Sequence, residues 1–561
     1  MRTTIKIVIL LFFICTSMSG TSSPDMEKYM RQHALIWEQL PMQWNEGAFL
    51  GNGLVGMMVY ADSTLNALVF HLGRPDVTDH RKAPYRKTSI GTEEADKMVD
   101  FCRLDIGKML LFPEGKILSG TFYLDIYNAE LTGHLKTDKG DLTFHAYTPQ
   151  PEEVNIVEVS SGIPYRWKGI PGNPCSPRIR VFPHLKEKLK YKDNPVPVVN
   201  QKDKEGSWVQ SLLAGGDYAT YWKEVPDGKS RSVLYISTAN EVPASSLSLA
   251  KAIKTVEAAQ ITGTKLLKQK TRQWWNAYHE RSFLSIPDKK LENFYFIQMY
   301  KLATCSHPDG PAMDVMGTFF KLSPWPSFWW NLNIQLTYMP IGPANRMEQG
   351  KNFQRLMDEV FPSLVRSIEP CKIGDYTWAL QNYYMYLRYA GADWQDIKQQ
   401  VVPKALDAFA VFDKILCYKE NTWHLTHIES PEYEGFQKYN DSNYGLASLS
   451  WLLQTLIACH DRTSSTHPDY ARWKEILTRL APYPTNENGL MIAANKPLEK
   501  SHRHYSHLLA FYPFRLLHPD VPENRKLLEK SIEHWLSLED GKGLAGYSYT
   551  GAASLYAYLG N

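Results

Sequence analysis

The stretch GTFYLDIYNAELTGHL, residues 120–135, sets Phe122, Leu124 and Ile126 in alternation with Thr121, Tyr123 and Asp125. A period of two is the pleat of a strand with one buried face. The same habit returns in DLTFHAYT (141–148), VNIVEVSS (154–161) and SVLYISTA (232–239), between gaps rich in turn residues. Residues 25–245 therefore read as an N-terminal β-sandwich domain. After Ser245 the period lengthens. SLSLAKAIKTVEAAQ (246–260) and the segment through Lys270 lead helically into the Trp274-Trp275 pair, which makes 246–287 a helical linker. Beyond Asp288 almost everything is helical, as in ENFYFIQMYKLATC (292–305), TWALQNYYMYLRYAG (377–391) and YGLASLSWLLQTLIACH (444–460). Long loops rich in Pro, Gly, His and Trp separate these helices and hold the polar clusters, and such loops in a compact helical domain carry function. A helical toroid over 288–561 with its site at the loop ends fits.

Composition narrows the function. The chain has 561 residues, enough for several domains at roughly 150 residues each. Hydrophobic residues make up 43% and charged residues 22%, the profile of a globular protein with large cores. The net charge of +3 supplies no field to gather phosphate backbones, so nucleic acid is excluded as a partner. Aromatic residues reach 12%, more rings than cores of this size need, so some are expected to face a ligand.

Residues 1–20, MRTTIKIVILLFFICTSMSG, carry Arg2 and Lys6, an apolar run from Ile7 to Ile14, and a small-residue end at Ser17, Ser19 and Gly20. That is the layout of a secretory signal peptide, and no later window is long and apolar enough to span a bilayer. The expectation is an exported protein, periplasmic or extracellular. Cys15 raises a lipoprotein anchor, which the bulky Phe12, Phe13 and Ile14 ahead of it disfavour. The remaining cysteines, Cys102, Cys175, Cys305, Cys371, Cys417 and Cys459, are scattered without a C-x-x-C pair and read as buried thiols.

Four motifs bear on chemistry. Gly51, Gly53 and Gly56 match the dinucleotide fingerprint, but MMVYAD runs on as a strand and not as a phosphate-binding helix, so a glycine-rich hairpin is favoured and no nucleotide is implied. His502, His504 and His507 crowd together as metal ligands would. Their spacing does not put them on one helix face, and no carboxylate or Cys nearby completes a set. The rival readings are a purely structural loop or a polar loop in which Arg503 and His504 donate to sugar hydroxyls. In SPWPSFWWNLNIQLTYMP (323–340), Trp325, Trp329 and Trp330 precede Asn331, Asn333 and Gln335. Aromatic faces pack on the C–H face of a pyranose while amides bond its hydroxyls, although core tryptophans with capping asparagines look the same in sequence. WHLTHIESPEYEGF (423–436) sets Glu429, Glu432 and Glu434 among rings, with Pro431 fixing the backbone before Glu432. A carboxyl crowded by rings loses hydration, and its pKa should rise toward the range a general acid needs. The run HLKEKLKYKD (184–193) reads as a solvated loop.

Taken in order, these segments resemble glycoside hydrolase family 95, the family of inverting α-L-fucosidases and some α-L-galactosidases. The matching stretches are the early GNG-x-x-G, WW-x-x-Y-x-E-R-S from Trp274 to Ser282, and N-x-N-x-Q from Asn331 to Gln335. G-x-x-x-W-A-L around Trp378, Ser430-Pro431-Glu432, and H-R-H-x-S-H from His502 to His507 complete the set. The resemblance implies an N-terminal β-sandwich packed on an (α/α)6 toroid-type catalytic domain, a glycan substrate, and no metal or organic cofactor. It also implies that Glu432 protonates the leaving glycosidic oxygen. Asn331 and Asn333 would hold the attacking water, and Trp378, Arg503 and His504 would contact the terminal sugar, with Trp329 beside it.

The sequence departs from the family in two places. After the H-R-H loop the chain reaches Gly546-Tyr547-Ser548 and ends in SLYAYLGN without the D-G-N-F-G-type segment that carries the base-side Asp. The last helices and a C-terminal β domain are expected to be missing, which leaves either a truncated product or a barrel closed another way. Trp329 also stands where the family has His. Asp314, Asp441, Glu429 and Glu434 are substitute carboxylates among which the sequence does not choose. The leading expectation is an exo-acting inverting glycoside hydrolase that releases terminal α-L-fucose or α-L-galactose. The alternatives are a catalytically impaired glycan-binding remnant and a sugar phosphorylase.

Overall fold

The computed structural model describes residues 25–79, 81, 102–242, 247–435 and 437–560. The signal-peptide reading of 1–20 and Cys15 lie outside these residues. The first part of the chain forms two antiparallel sheets. One has nine strands in the order Leu35–Trp37, Ile117–Asp125, Glu130–Thr137, Asp141–Tyr147, Val154–Ser161, Arg231–Glu241, Asp217–Pro226, Glu205–Ser211 and Val198–Gln201. The other runs Tyr165–Ile170, Lys108–Pro113, Ala67–Gly73, Gly56–Asp62 and Ala48–Gly51.

The alternation at 120–135 does what its period requires. Phe122 and Leu124 point into a core shared by both sheets, while Tyr123 faces out. Gly133 lies opposite Phe122 in one register and Phe144 in the next. A Cβ at Gly133 would stand 2.0 Å from the Phe144 ring, so the missing side chain makes room for it. That ring meets Phe70 of the second sheet at 5.5 Å, edge to face, and so joins the two layers.

The stretch read as a linker consists of two helices, Ser248–Thr262 and Thr264–Glu280, separated at Gly263, whose φ is +78°. They cover the outer face of the nine-stranded sheet. Val256, Ala259 and Leu267 pack on Tyr147, Ile156, Val233 and Tyr235, and Arg272 and His145 share Glu130. Trp275 and Tyr278 then enter the sandwich core together with Phe296 and Tyr300 of the next helix, Lys289–Cys305.

The glycine motif is a hairpin turn between strands Ala48–Gly51 and Gly56–Asp62. Asn52 accepts from the N–H groups of Leu54 and Val55, and its amide donates to the carbonyls of Pro149 and Glu152. Gly53, at φ +82°, donates its N–H to the Thr304 carbonyl at 3.0 Å. Gly51 and Gly53 thus press the hairpin against the end of helix Lys289–Cys305, while a Cβ at Gly56 would stand 2.9 Å from the Thr318 side chain.

The rest of the described chain is mainly helical and shares one large core. Helix Ile373–Tyr389 lies at its centre, against Asn333–Tyr338, Val402–Phe412 and Asn443–Thr463. The region is less purely helical than its periodicity suggests. Three two-stranded ribbons interrupt it, Leu416–Lys419 with Thr422–Leu425, Ile428–Glu429 with Lys438–Tyr439, and Thr485–Asn486 with Gly489–Leu490. Pairs this short carry too few residues for a period to register. In residues 184–193 the lysines and Glu187 are exposed, as a solvated run requires, but Leu185–Lys188 makes a helical turn and Leu185 and Tyr191 pack on Ile179. The six described cysteines are free; Cys417 is exposed and Cys175 partly so, unlike the other four. Among the described residues no helix is long and apolar enough to cross a membrane.

Candidate active site

The ribbon Ile428–Glu429 with Lys438–Tyr439 brackets the S-P-E loop. Within that loop Glu432 has φ +58°, Glu434 +49° and Gly435 +77°, a left-handed turn that non-glycine residues enter only when their surroundings hold them there. The H-R-H loop supplies that hold. Ser430 Oγ and Ser506 Oγ are 2.9 Å apart, both buried, and His502 Nε2 donates to the Pro431 carbonyl at 3.1 Å. His504 Nε2 donates to Glu432 Oε2 at 3.0 Å, and Arg503 Nη2 donates to the same oxygen. The second loop is anchored in turn. Trp535 Nε1 donates to the His502 carbonyl at 2.7 Å, and Ser548 Oγ donates to the Arg503 carbonyl at 2.8 Å.

The electrostatics of Glu432 differ from the sequence expectation. Burial pushes its carboxyl up, but the His504 hydrogen bond and charge, joined by Arg503, outweigh it and hold the group below the usual carboxylate value. The rings around Glu432 were legible in sequence, whereas Arg503 and His504 come from more than seventy positions away. Burial and the neighbouring charge of His504 pull His502 down to about 4. The three histidines have separate surroundings: His502 serves a carbonyl, His504 serves Glu432, and His507 is buried with burial pulling it down to about 3. Among the described residues no group of three His, Cys, Asp or Glu side chains is placed to hold a metal ion.

The amide segment is also locally unusual. Leu332, between Asn331 and Asn333, has φ +51° and ψ −40°, and Asn333 N–H donates to the Asn331 carbonyl at 2.6 Å. Asn333 opens helix Asn333–Tyr338, half-buried, and Asn331 is buried. Gln335 Nε2 donates to the Asp375 carbonyl at 2.9 Å, and Asn382 Nδ2 donates to the Gln335 carbonyl at 2.6 Å. Trp330 stacks on Tyr376 at 5.2 Å. Trp329 and Trp378 are buried at 4% and 1% exposure. Their indole N–H groups, with that of Trp330 and the side-chain oxygens of Asn331, Gln335 and Asn382, are buried and have no protein partner. Such groups are costly and uncommon in cores.

Two polar contacts, one beside this segment and one at the ribbon, flank the start of helix Ile373–Tyr389. Tyr444 O–H donates to Asp375 Oδ1 at 2.6 Å, and Cys371 Sγ donates to Glu429 Oε1 at 3.4 Å. Burial, with the charge of Asp375 adding and Lys372 opposing, pushes Glu429 up to about 7. The carboxyl raised by its surroundings is thus Glu429 and not Glu432. The other substitute carboxylates are engaged elsewhere: Asp314 with Arg103, Asp441 with His424 and the Leu425 N–H, and Glu434 with Lys496. Sequence reasoning missed Asp375 and Tyr444. The signal that could have found them is Gly374, within the G-x-x-x-W-A-L motif, because a Cβ there would stand 2.3 Å from the Tyr444 ring.

Residues 367–561 match the family described as glycosyl hydrolase family 95 catalytic domain. The match holds Trp378, Glu432, Arg503 and His504, while Asn331 and Asn333 lie upstream of it. The resemblance read from the sequence holds over that stretch, and the protein is a glycosidase-type enzyme. No curated protein matches the chain. Among solved structures it is similar to a candidate kojibiose phosphorylase from the human microbiome, at 10% identity and a TM-score of 0.63, over 94% of this chain and 83% of that one. A bacterial glucoamylase complexed with acarbose aligns at 9% identity and a TM-score of 0.46, over 89% and 82%. At such identity the first likeness is one of fold.

Proposed function

We propose that this glycosidase is an exo-acting, inverting hydrolase that releases a terminal α-L-fucosyl or α-L-galactosyl unit from oligosaccharide or polysaccharide glycans. The helical region would be an (α/α)6 toroid, and export through residues 1–20 would place the enzyme in the periplasm or outside the cell. The observation that carries the reading is the convergence of Arg503 and His504 on one oxygen of Glu432, which makes a single polar cluster of two loops far apart in sequence.

In this reading Glu432 protonates the glycosidic oxygen as the C1–O bond breaks, and water attacks C1 from the opposite face. Inversion needs the acid and the water-activating group about 6.5 to 9.5 Å apart. Asn331 and Asn333 orient the water; an amide has no useful basicity, so a carboxylate takes its proton. Arg503, whose side chain is 53% exposed, is free to leave Glu432 for the sugar hydroxyls. Loss of the Arg503 contribution would leave His504 alone to oppose burial and so raise the Glu432 pKa, which favours protonation of the acid once the substrate has arrived. The unpartnered indole N–H and amide oxygens near Asn331 suit a ligand rich in hydroxyls.

Glu432→Gln tests the assignment. Turnover of an aryl α-L-fucoside or α-L-galactoside should fall by about 10²- to 10⁴-fold while sugar binding, followed calorimetrically, persists. Turnover by Glu432→Gln at the wild-type rate would remove Glu432 from the acid role. An α-configured first product by NMR would rule out inversion, since the α-L bond must yield the β-anomer.

A further inference from the structure

The hydrolytic step needs a carboxylate to take the proton of the attacking water, and the amides that hold that water cannot serve. Asp314, Asp441 and Glu434 are engaged with Arg103, His424 and Lys496, none of which belongs to the amide segment. Asp375, in contrast, is fastened to it. This residue sits in the first turn of helix Ile373–Tyr389, where the helix end favours an anion. Its carbonyl accepts from Gln335 Nε2 at 2.9 Å. The next residue, Tyr376, stacks on Trp330, which directly precedes Asn331, with 5.2 Å between ring centroids. Two turns further along the helix, Asn382 Nδ2 donates to the Gln335 carbonyl at 2.6 Å. The start of the helix is thereby tied to the amide segment at both of that segment's ends, on the side where the water is held.

The carboxylate of Asp375 is oriented as a base requires. Tyr444, on helix Asn443–Thr463, donates its O–H to Asp375 Oδ1 at 2.6 Å. Burial, with the charge of Asp375, pushes that hydroxyl well above its ordinary value, so it remains a donor. A bond of this kind fixes a carboxylate and favours its ionised form. Asn331, Gln335 and Asn382 are buried, whereas Asp375 and Asn333 are half-buried, so these two are the members of the group that solvent reaches. Glu429, three residues before Glu432, is pushed up by burial and by the charge of Asp375. Of these two neighbouring carboxyls, Glu429 keeps the proton and Asp375 the charge.

We propose that Asp375 is the catalytic base of the inverting reaction, with Tyr444 as its positioning residue. As Glu432 gives its proton to the leaving oxygen and the C1–O bond breaks, the water held by Asn331 and Asn333 forms the new C1–O bond and passes a proton to Asp375. One proton is given and one is taken, and exchange with solvent restores both carboxyls. The inference rests on the hydrolase reading above and names the group that takes the water's proton.

The test uses an α-L-fucosyl or α-L-galactosyl fluoride, whose fluoride departs with little help from an acid, so that the rate reports the water side. In Asp375→Ala, kcat should fall about 10²- to 10⁴-fold. Azide, an anion with no proton to lose, should restore turnover by about tenfold or more and yield the β-L-glycosyl azide, identified by NMR. Wild-type kcat in Asp375→Ala, or a loss that azide does not relieve, would overturn the assignment. Azide rescue of Glu429→Ala in its place would overturn it too, by making Glu429 the base. If Asp375→Ala does not fold, Tyr444→Phe decides: kcat should fall about tenfold with KM unchanged. An unchanged kcat in Tyr444→Phe, or a loss confined to KM, would overturn the proposal. A wild type inactive on both the fluoride and an aryl glycoside would defeat the hydrolase reading and this inference together, whereas an active wild type with an equally active Asp375→Ala would defeat this inference alone.

Discussion

His504 donates Nε2–H to Oε2 of Glu432 at 3.0 Å from a position that is 1% exposed, so its hydrogen bond is shielded from water while the ion pair of Glu432 with the exposed Arg503 is not. The buried bond fixes the carboxylate and the exposed cation is the exchangeable one. A shielded charge-assisted hydrogen bond is also the stronger of the two kinds of contact.

His504→Ala removes that shielded donor and leaves only Arg503 to oppose burial at Glu432, whose pKa should rise. A general acid works protonated, so activity falls as pH rises through its pKa. The alkaline limb of the kcat/KM profile should therefore move to higher pH in His504→Ala, with an overall loss of about 10²-fold from the misplaced carboxyl. A limb that does not move would assign the fall to another group.

Ser430 and Ser506 form one of the direct links between the two loops, beside those made by His502, Arg503 and His504. Either Ser→Ala change leaves the other buried hydroxyl short of a partner and should cost about 1 kcal/mol. The double variant should cost much less than the sum, giving a coupling of about 1 kcal/mol in thermal or denaturant unfolding. Additive losses would mean that the two hydroxyls do not bond each other.

Glu429 carries a proton in the folded protein that it has lost in the unfolded chain over the window from the ordinary carboxyl value of 4.5 to about 7. Its contribution to stability is thus full below that window and declines as pH rises through it, by an amount on the order of 3 kcal/mol. Glu429→Gln should flatten the fall in melting temperature between pH 5 and 8. An unchanged pH profile in the variant would show that the carboxyl is ionised in the folded state.

Gly53 cannot carry a side chain. Its φ is +82°, and a Cβ would stand 2.3 Å from the carbonyl carbon of Ser306. Gly53→Ala combines backbone strain with a clash against backbone and should destabilise by about 3 kcal/mol, read as a lower first unfolding transition. Gly228, at φ +98° with nothing within 4 Å, is the control in which only the strain remains.

The alternation around Phe122 and the lengthened period after Ser248 were enough to divide the chain into a β part and a helical part, because burial on one face imposes a period wherever an element is long. The ribbon at Ile428–Glu429 escaped the same reasoning because two residues have no period. At the site, the residue types of Glu432, Arg503, His504, Asn331 and Asn333 were legible, since their chemistry is local to each side chain. Their electrostatics were not, as the reversal between Glu432 and Glu429 shows.

By itself the sequence determined the strand and helix periods, the residue types at Glu432, Arg503 and His504, and the later motifs, from Gly374 onward, that fall within the catalytic-domain match over 367–561. Only the tertiary structure decided that His504 and Arg503 hold the Glu432 carboxyl below its usual value, that burial with Asp375 pushes Glu429 up to about 7, and that Arg178 of the β region braces Trp325. The physical reason is that a period or a motif is a property of neighbours along the chain, whereas desolvation and Coulomb energy depend on distances between groups that folding brings together from remote positions.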